Sequence, residues 1–419
     1  MTRETWAILA AIATGVLVVS GAVLFALVRH WGLDTRGDDM NPQHWASRYP
    51  HHYEMTMKTR IDSSKTAFGG STQYDRLAAN PFRKRAFAGH GFALEYKSAR
   101  GHYYSQIDQR DSLRTLEILQ PAACAHCHAA EAPRLVAEFG WEDFHRLGYN
   151  DIKDQLHHGT SCLDCHAAST MALRVSRPAF IRSMQQLGVD VTQSSQQELR
   201  TYVCAQCHHE YYFRGEIREL ISPWSHGLTI EEIERHFDEQ GFDDWSHPET
   251  GSPLIKMQHP EFELFSTSAH ARKNVACADC HMPTFWDGGL KLTDHWVRSP
   301  LTNVQNACLS CHTGTEQSLR AQAEAIQYRT AEQMTIVESA ISDLMDALVA
   351  AQTGNGDEDA LDEARRYHRR AQLRWDFIDA ENSTGFHSPH ETTRILQQAI
   401  DLARQGKRRA AEAVRPHNQ

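Results

Sequence analysis

The feature that most restricts this chain is a fivefold recurrence of Cys-x-x-Cys-His. The copies are Cys124-Ala125-His126-Cys127-His128, Cys162-Leu163-Asp164-Cys165-His166, Cys204-Ala205-Gln206-Cys207-His208, Cys277-Ala278-Asp279-Cys280-His281 and Cys308-Leu309-Ser310-Cys311-His312, and they use all ten cysteines. Two thiols three residues apart reach the two vinyl groups of one haem, and the next imidazole swings under the iron as proximal ligand. Zinc ribbons and thioredoxin-like redox pairs share Cys-x-x-Cys, but neither requires the trailing histidine. With 26 histidines in 419 residues, five such coincidences have odds on the order of one in a million. Zinc ribbons also take Cys-x-x-Cys pairs two at a time, and five leaves one over. The expected cofactor is haem c, covalently bound five times.

A chain built around so many haems is expected to be mainly α, with a haem-packed core, long C-terminal helices and little β-structure. No period-2 strand pattern competes with the short helical stretches and Gly/Pro turns of residues 42–314, which hold every motif. The unequal motif spacing speaks against a stacking solenoid. Residues 315–353 contain no Gly or Pro and predict one helix roughly 58 Å long. Gly354-Asn355-Gly356 breaks it, a second helix is expected over 357–381, and a third from about Glu391 to Arg409. These helices read as scaffold, completing the same domain over 315–419 and offering a dimer surface.

Ahead of this region, Trp6 to Val28 is an uncharged run of 23 residues, long enough to cross a bilayer core of about 20 helical residues. It is read as a transmembrane anchor, a signal peptide being the rival, with a polar tether up to residue 41. Haem attachment and this segment both place the bulk of the protein on the periplasmic side of the cytoplasmic membrane. Fifty-three acidic against 43 basic residues, a formal charge of -10, speak against a nucleic-acid partner.

After five proximal ligands, 21 histidines remain. Counting therefore does not tell an electron-passing haem with six ligands from a reactive one with an open position. A local pattern does: Tyr202-Val203-Cys204-Ala205-Gln206-Cys207-His208-His209-Glu210-Tyr211-Tyr212-Phe213, followed by Lys256-Met257-Gln258-His259-Pro260-Glu261. With Arg100-Gly101-His102-Tyr103-Tyr104, Ser112-Leu113-Arg114-Thr115 and Gly385-Phe386-His387, it resembles the pentahaem cytochrome c nitrite reductases, which form ammonium. The resemblance runs from about Pro42 to Leu396.

The resemblance implies that the haem at Cys124 is the reactive one and that four bis-histidine haems feed it. It implies His295 as the cap opposite His166, His102 opposite His208, His387 opposite His281 and His270 opposite His312. His126, His209 and the pair His157-His158 have no such match and read as ordinary core or surface residues. Catalysis would fall to Arg114, His259 and Tyr211. Their roles fit a small anion that gains six electrons and eight protons: a fixed cation, a proton donor near neutral pH and a phenol that hydrogen-bonds intermediates. The family also implies a calcium ion held by the Glu210 carboxylate, the Tyr211 and Lys256 carbonyls and the Gln258 side-chain oxygen, all hard ligands. Nitrite is the implied substrate, with hydroxylamine and nitric oxide as further ones. A quinol-oxidising membrane cytochrome is the implied electron donor, and a homodimer the implied assembly.

The sequence departs from better-known relatives at one position: His128 stands where their first motif ends in lysine. The active-site motif then looks like the other four, and openness has to be read from its surroundings. Two other functions share these motifs, a membrane-tethered pentahaem electron-transfer cytochrome and a related enzyme acting on hydroxylamine or sulfite.

Overall fold

The structure, a computed structural model, describes residues 39–354 and 356–414, with a few isolated positions before residue 39. Most of the apolar run Trp6 to Val28 lies outside the described residues. Among the described residues, no helix is long and apolar enough to cross a membrane.

The N-terminal half is a succession of short helices held by turn chemistry. Helix α1 (Leu113–Glu117) is capped by Ser112, whose hydroxyl accepts the Thr115 N–H. The attachment motifs fall on α2 (Ala125–His128), α3 (Cys162–Cys165), the end of α4 (Gln196–Ala205) and later elements. A capping box joins Ser161 and Asp164 at α3, and another joins Ser195 and Glu198 at α4. Strands β1 (Tyr212–Arg214) and β2 (Glu219–Ile221) form the first of three two-stranded antiparallel hairpins among the described residues. Helix α5 (Ile230–Gln240), boxed by Thr229 and Glu232, leads to the second hairpin, β3 (Trp245–Ser246) with β4 (Pro253–Leu254). Helix α6 (Cys277–His281) bears the fourth motif, and the hairpin of β5 (Thr284–Asp287) and β6 (Leu290–Thr293) follows it. Helix α7 (Val304–Ala307) runs into the fifth motif. The mainly α fold with little β-structure is as expected, whereas the short hairpins had no signal in the sequence.

Three long helices close the fold: α8 (Glu316–Thr353), α9 (Glu358–Ala380) and α10 (Pro389–Ala413). The first two match expectation to within a residue. The third begins two residues before Glu391, because Pro389 pre-sets the backbone of its first turn, and it runs four residues past Arg409. It also passes through Gly406 without a break. A Cβ there would lie 2.7 Å from the Tyr367 side chain and 2.9 Å from Leu344, so the missing side chain lets α10 sit close against α8 and α9.

The largest hydrophobic cluster joins residues of both halves, from Ala86, Phe87 and Tyr96 through Trp245 and Met257 to Leu344, Trp375, Ile395 and Ala410. Helix α9 meets the N-terminal half with a buried polar row at helical spacing: His368, Gln372, Asp376 and Asp379. Each has a partner. Gln372 donates to the Ala86 carbonyl at 2.8 Å, Asp376 pairs with Lys256 at 2.8 Å, Asp379 binds Arg83 at 2.6 Å, and His368 meets Ser252 at 2.9 Å.

Candidate haem-binding and catalytic site

Each attachment motif winds into one helical turn, so the second cysteine and the histidine come back over the first cysteine. The histidine N–H donates to the carbonyl of the first cysteine at 3.0 Å in the second motif, 3.1 Å in the third and 2.8 Å in the fifth. None of the ten cysteines is paired in a disulfide. The five turns open onto one continuous cavity of about 2270 Å³, several times an ordinary ligand pocket of 300–1,000 Å³. Its walls include the five motif histidines, seven further histidines (His52, His90, His102, His259, His270, His295 and His387) and every motif cysteine except the exposed Cys311.

The histidines are arranged in facing pairs. Ring centroids stand 6.1 Å apart for His166 and His295, 6.4 Å for His102 and His208, 6.3 Å for His281 and His387, and 6.1 Å for His270 and His312. Two imidazoles whose nitrogens each lie about 2 Å from one shared metal have centroids roughly 6 Å apart. These separations would admit an iron between the rings, though the contacts are not exclusive: the His208 ring also lies 6.2 Å from His259, and the His295 ring 4.7 Å from His52. Among the described residues, no imidazole comes into ring contact with His128.

Orientation comes from the other ring nitrogen. Nδ1 of His128 lies 2.9 Å from the Ser105 carbonyl, that of His166 2.7 Å from Met171, that of His281 3.2 Å from Arg298 and that of His295 2.9 Å from Thr293. Donating Nδ1–H to a carbonyl leaves Nε2 for a metal and makes it more basic. His387 instead places Nδ1 2.5 Å from the buried Glu381. Its loop depends on Gly385, at φ +79°, where a Cβ would strike Thr330 Oγ1 at 2.5 Å.

Around the first motif the cavity wall changes. Arg114 on α1, Tyr211 just before β1, and His259 all line it. Arg114 and His259 are electrostatic neighbours of His128, and Tyr211 of Cys124 and Cys127. The Arg114 guanidinium lies 4.0 Å over the Phe92 ring, and its Nε is buried without an acceptor. Burial lowers the Arg114 pKa and raises that of Tyr211 well above a free phenol, so the first favours an anion close by and the second keeps its proton. Sequence reasoning did not single out Phe92. Its signal lies in the ring contact and not in any motif. Glu261, the last residue of the Lys256 to Glu261 stretch, was likewise given no role. It is buried, with Oε1 3.8 Å from His259 Nδ1 and 3.9 Å from His208 Nδ1.

Glu210 and Lys256 stand behind the wall. Glu210 is fully buried, one oxygen accepting the Gln258 N–H at 2.7 Å and the other without any partner. Burial, then the neighbouring Glu263, raises its pKa well above the usual carboxylate range. Glu263 is fully buried too, taking the Glu210 N–H and the Trp224 indole on one oxygen, both at 2.8 Å, with the other orphaned. Two dry carboxylates, each with a free oxygen, are hard donors suited to a cation, and the Gln258 side chain next to Glu210 donates to the Lys256 carbonyl at 3.2 Å. The Lys256 side chain points elsewhere, onto Asp376 and within 4.8 Å of the Phe87 and Phe92 rings. His126 and His209 are buried among aromatic rings, and His158 pairs with Glu131 at 2.7 Å.

Attachment turns gathered on one cavity, with histidines facing each other across it, define a multihaem c-type cytochrome. Residues 41–418 match the cytochrome c552 family, and the chain belongs to that family. It is 34% identical over 389 residues to cytochrome c-552 of Parabacteroides distasonis, covering 91% of this chain and 78% of the relative, and 35% identical over 381 residues to that of Porphyromonas gingivalis, covering 89% and 76%. It is also similar to the solved catalytic subunit of the cytochrome c nitrite reductase from Desulfovibrio desulfuricans, which is described with two calcium sites. That likeness has a TM-score of 0.86 and 29% identity, covering 91% of this chain and 88% of the other.

Proposed function

We propose that this protein is an ammonium-forming nitrite reductase with five covalent haems, four capped by two histidines and one open. The observation that carries the reading is the asymmetry of the imidazoles. Four motif histidines face a second ring at about 6 Å, while among the described residues His128 faces none and has Arg114, Tyr211 and His259 nearby. The similarity to a nitrite reductase of known structure points the same way.

When bound, the haem on Cys124 and Cys127 supplies a site for the anion and the electrons for its reduction. The chain supplies the rest. Arg114 holds nitrite by charge, and with a buried Nε that lacks an acceptor it has a donor free for a nitrite oxygen. His259 delivers protons as the two oxygens leave as water, and Tyr211 hydrogen-bonds the remaining nitrogen and oxygen atoms. Hydroxylamine and nitric oxide, as partly reduced species, fit the same pocket. Calcium, bound by Glu210, Gln258 and the Tyr211 and Lys256 carbonyls, fixes the two segments that carry Tyr211 and His259.

The further reading follows from this one. Residues 42–314 carry the catalysis, and 315–419 complete the domain and supply the homodimer surface. A quinol-oxidising membrane cytochrome delivers electrons on the periplasmic side, where residues 6–28 anchor the protein. The test is ammonium yield from nitrite by the haem-replete protein with a reduced dye as donor. Stoichiometric ammonium is expected. An oxidised spectrum of only low-spin haems, with no consumption of nitrite, would leave an electron-transfer cytochrome instead.

A further inference from the structure

Arg177 is a fixed cation sealed between three attachment turns. It is 1% exposed. Its Nη1 donates at 2.8 Å to the carbonyl of Ala129, the residue after His128, and its Nη2 at 2.7 Å to Asp164 inside the second motif. Its own N–H donates at 3.1 Å to the Gln206 side chain inside the third motif, and the Gln206 amide returns to the Asp164 carbonyl at 2.8 Å. The second oxygen of Asp164 accepts the Ser161 N–H at 2.7 Å. Arg177, Asp164 and Gln206 all line the haem cavity.

The ion pair is thus laid across a boundary, with guanidinium against the first turn and carboxylate within the second. Stability alone is a poor reason for it, since a buried pair often contributes no more than apolar residues of the same volume. Its field is another matter. In a dry interior a unit charge acts strongly and over a long range, and charge near a haem shifts its reduction potential. A cation favours the reduced, less positive iron, and an anion favours the oxidised one.

We propose that the Arg177–Asp164 pair raises the potential of the haem on Cys124 and Cys127 relative to that on Cys162 and Cys165, so that electrons collect where nitrite is reduced. This rests on the nitrite-reductase reading above. Each electron that moves oxidises the second site by one and reduces the first by one, and the pair itself is unchanged. Arg177 and Asp164 are accordingly positioning residues that act through the haems.

The test is a redox titration of the full-length, haem-replete protein without nitrite, followed through the high-spin haem and the low-spin set separately. Arg177→Gln should lower the potential of the high-spin haem, Asp164→Asn should raise potentials, and Arg177→Lys should stay near wild type. The double variant, which leaves no unpaired buried charge and so guards against failure to fold, should lie between the two single variants. Solvent entry or partial unfolding would move every variant the same way. Shifts of equal sign in the two single variants, or no shift in either, would overturn the proposal. A wild-type spectrum with low-spin haems alone would reject the nitrite reading, and the opposite-sign shifts, then read on the low-spin set, would still decide the role of the pair.

Discussion

Arg114 and Phe92 show how far a single residue can be read from sequence. Arg114 stands in a recognisable stretch, whereas the ring beneath it, 22 positions earlier, belongs to no motif. Replacing Arg114 with Gln removes a charge-assisted contact of about 1.5–3 kcal/mol, so kcat/KM for nitrite should fall roughly 10- to 150-fold, with KM bearing much of the loss. Steady-state kinetics on haem-replete protein checks this, and unchanged kinetics would remove Arg114 from the pocket. Gly385 makes a second prediction. At φ +79° and with Thr330 Oγ1 in the way, alanine there must displace the His387 loop. The Gly385→Ala variant should convert one low-spin haem, that on Cys277 and Cys280, to a high-spin signal in the electron paramagnetic resonance spectrum. The proposed distal histidines were named only through family likeness, because the spacing around His295 or His387 does not by itself assign either to a particular motif.

At the scale of elements, the long helices were easy to place and their buried faces were not. The absence of Gly and Pro over residues 315–353 announces a helix whatever it packs against. Helix α9 is different: His368, Gln372, Asp376 and Asp379 occupy one stripe that reads as a solvated face, yet all four are buried. Their partners Ala86, Lys256, Arg83 and Ser252 lie more than a hundred residues away, a distance over which periodicity carries no information. Burial alone would push the Asp379 carboxyl up, but Arg76 and Arg83 outweigh it and hold its pKa below the usual value. A group depressed in the folded state stabilises fully above its unfolded pKa near 4 and loses that contribution as pH falls through the folded value. Asp379→Asn leaves the half-buried Arg76 and Arg83 without their counter-charge and removes charge-assisted hydrogen bonds, which should cost about 1.5–3 kcal/mol. It should lower Tm at pH 7 and flatten the acid side of the stability profile, both visible in thermal melts across pH.

Over the whole molecule, the class of fold was legible because the five motifs demand a particular interior, whereas the meeting of the two halves in one core depended on tertiary contacts. Calcium belongs to this scale, since its proposed ligands tie the segment after α4 to the segment after β4. Chelation should lower both Tm and nitrite turnover, and excess calcium should restore them, because an ion that binds only the folded state stabilises it by mass action. Loss of neither would place the two orphaned carboxylate oxygens in some other role. The cavity of about 2270 Å³ has a consequence for the life of the protein in the cell. Apolar wall left wet in place of being covered forgoes about 25 cal/mol for each Å², against a net stability of only about 5–15 kcal/mol for an ordinary domain. The bare polypeptide is therefore expected to be much less stable than the haem-loaded one, which thermal melts of the two would show. A chain that gains its stability from its pigments is expected to accumulate in step with haem supply, and protein yield measured against haem availability checks this.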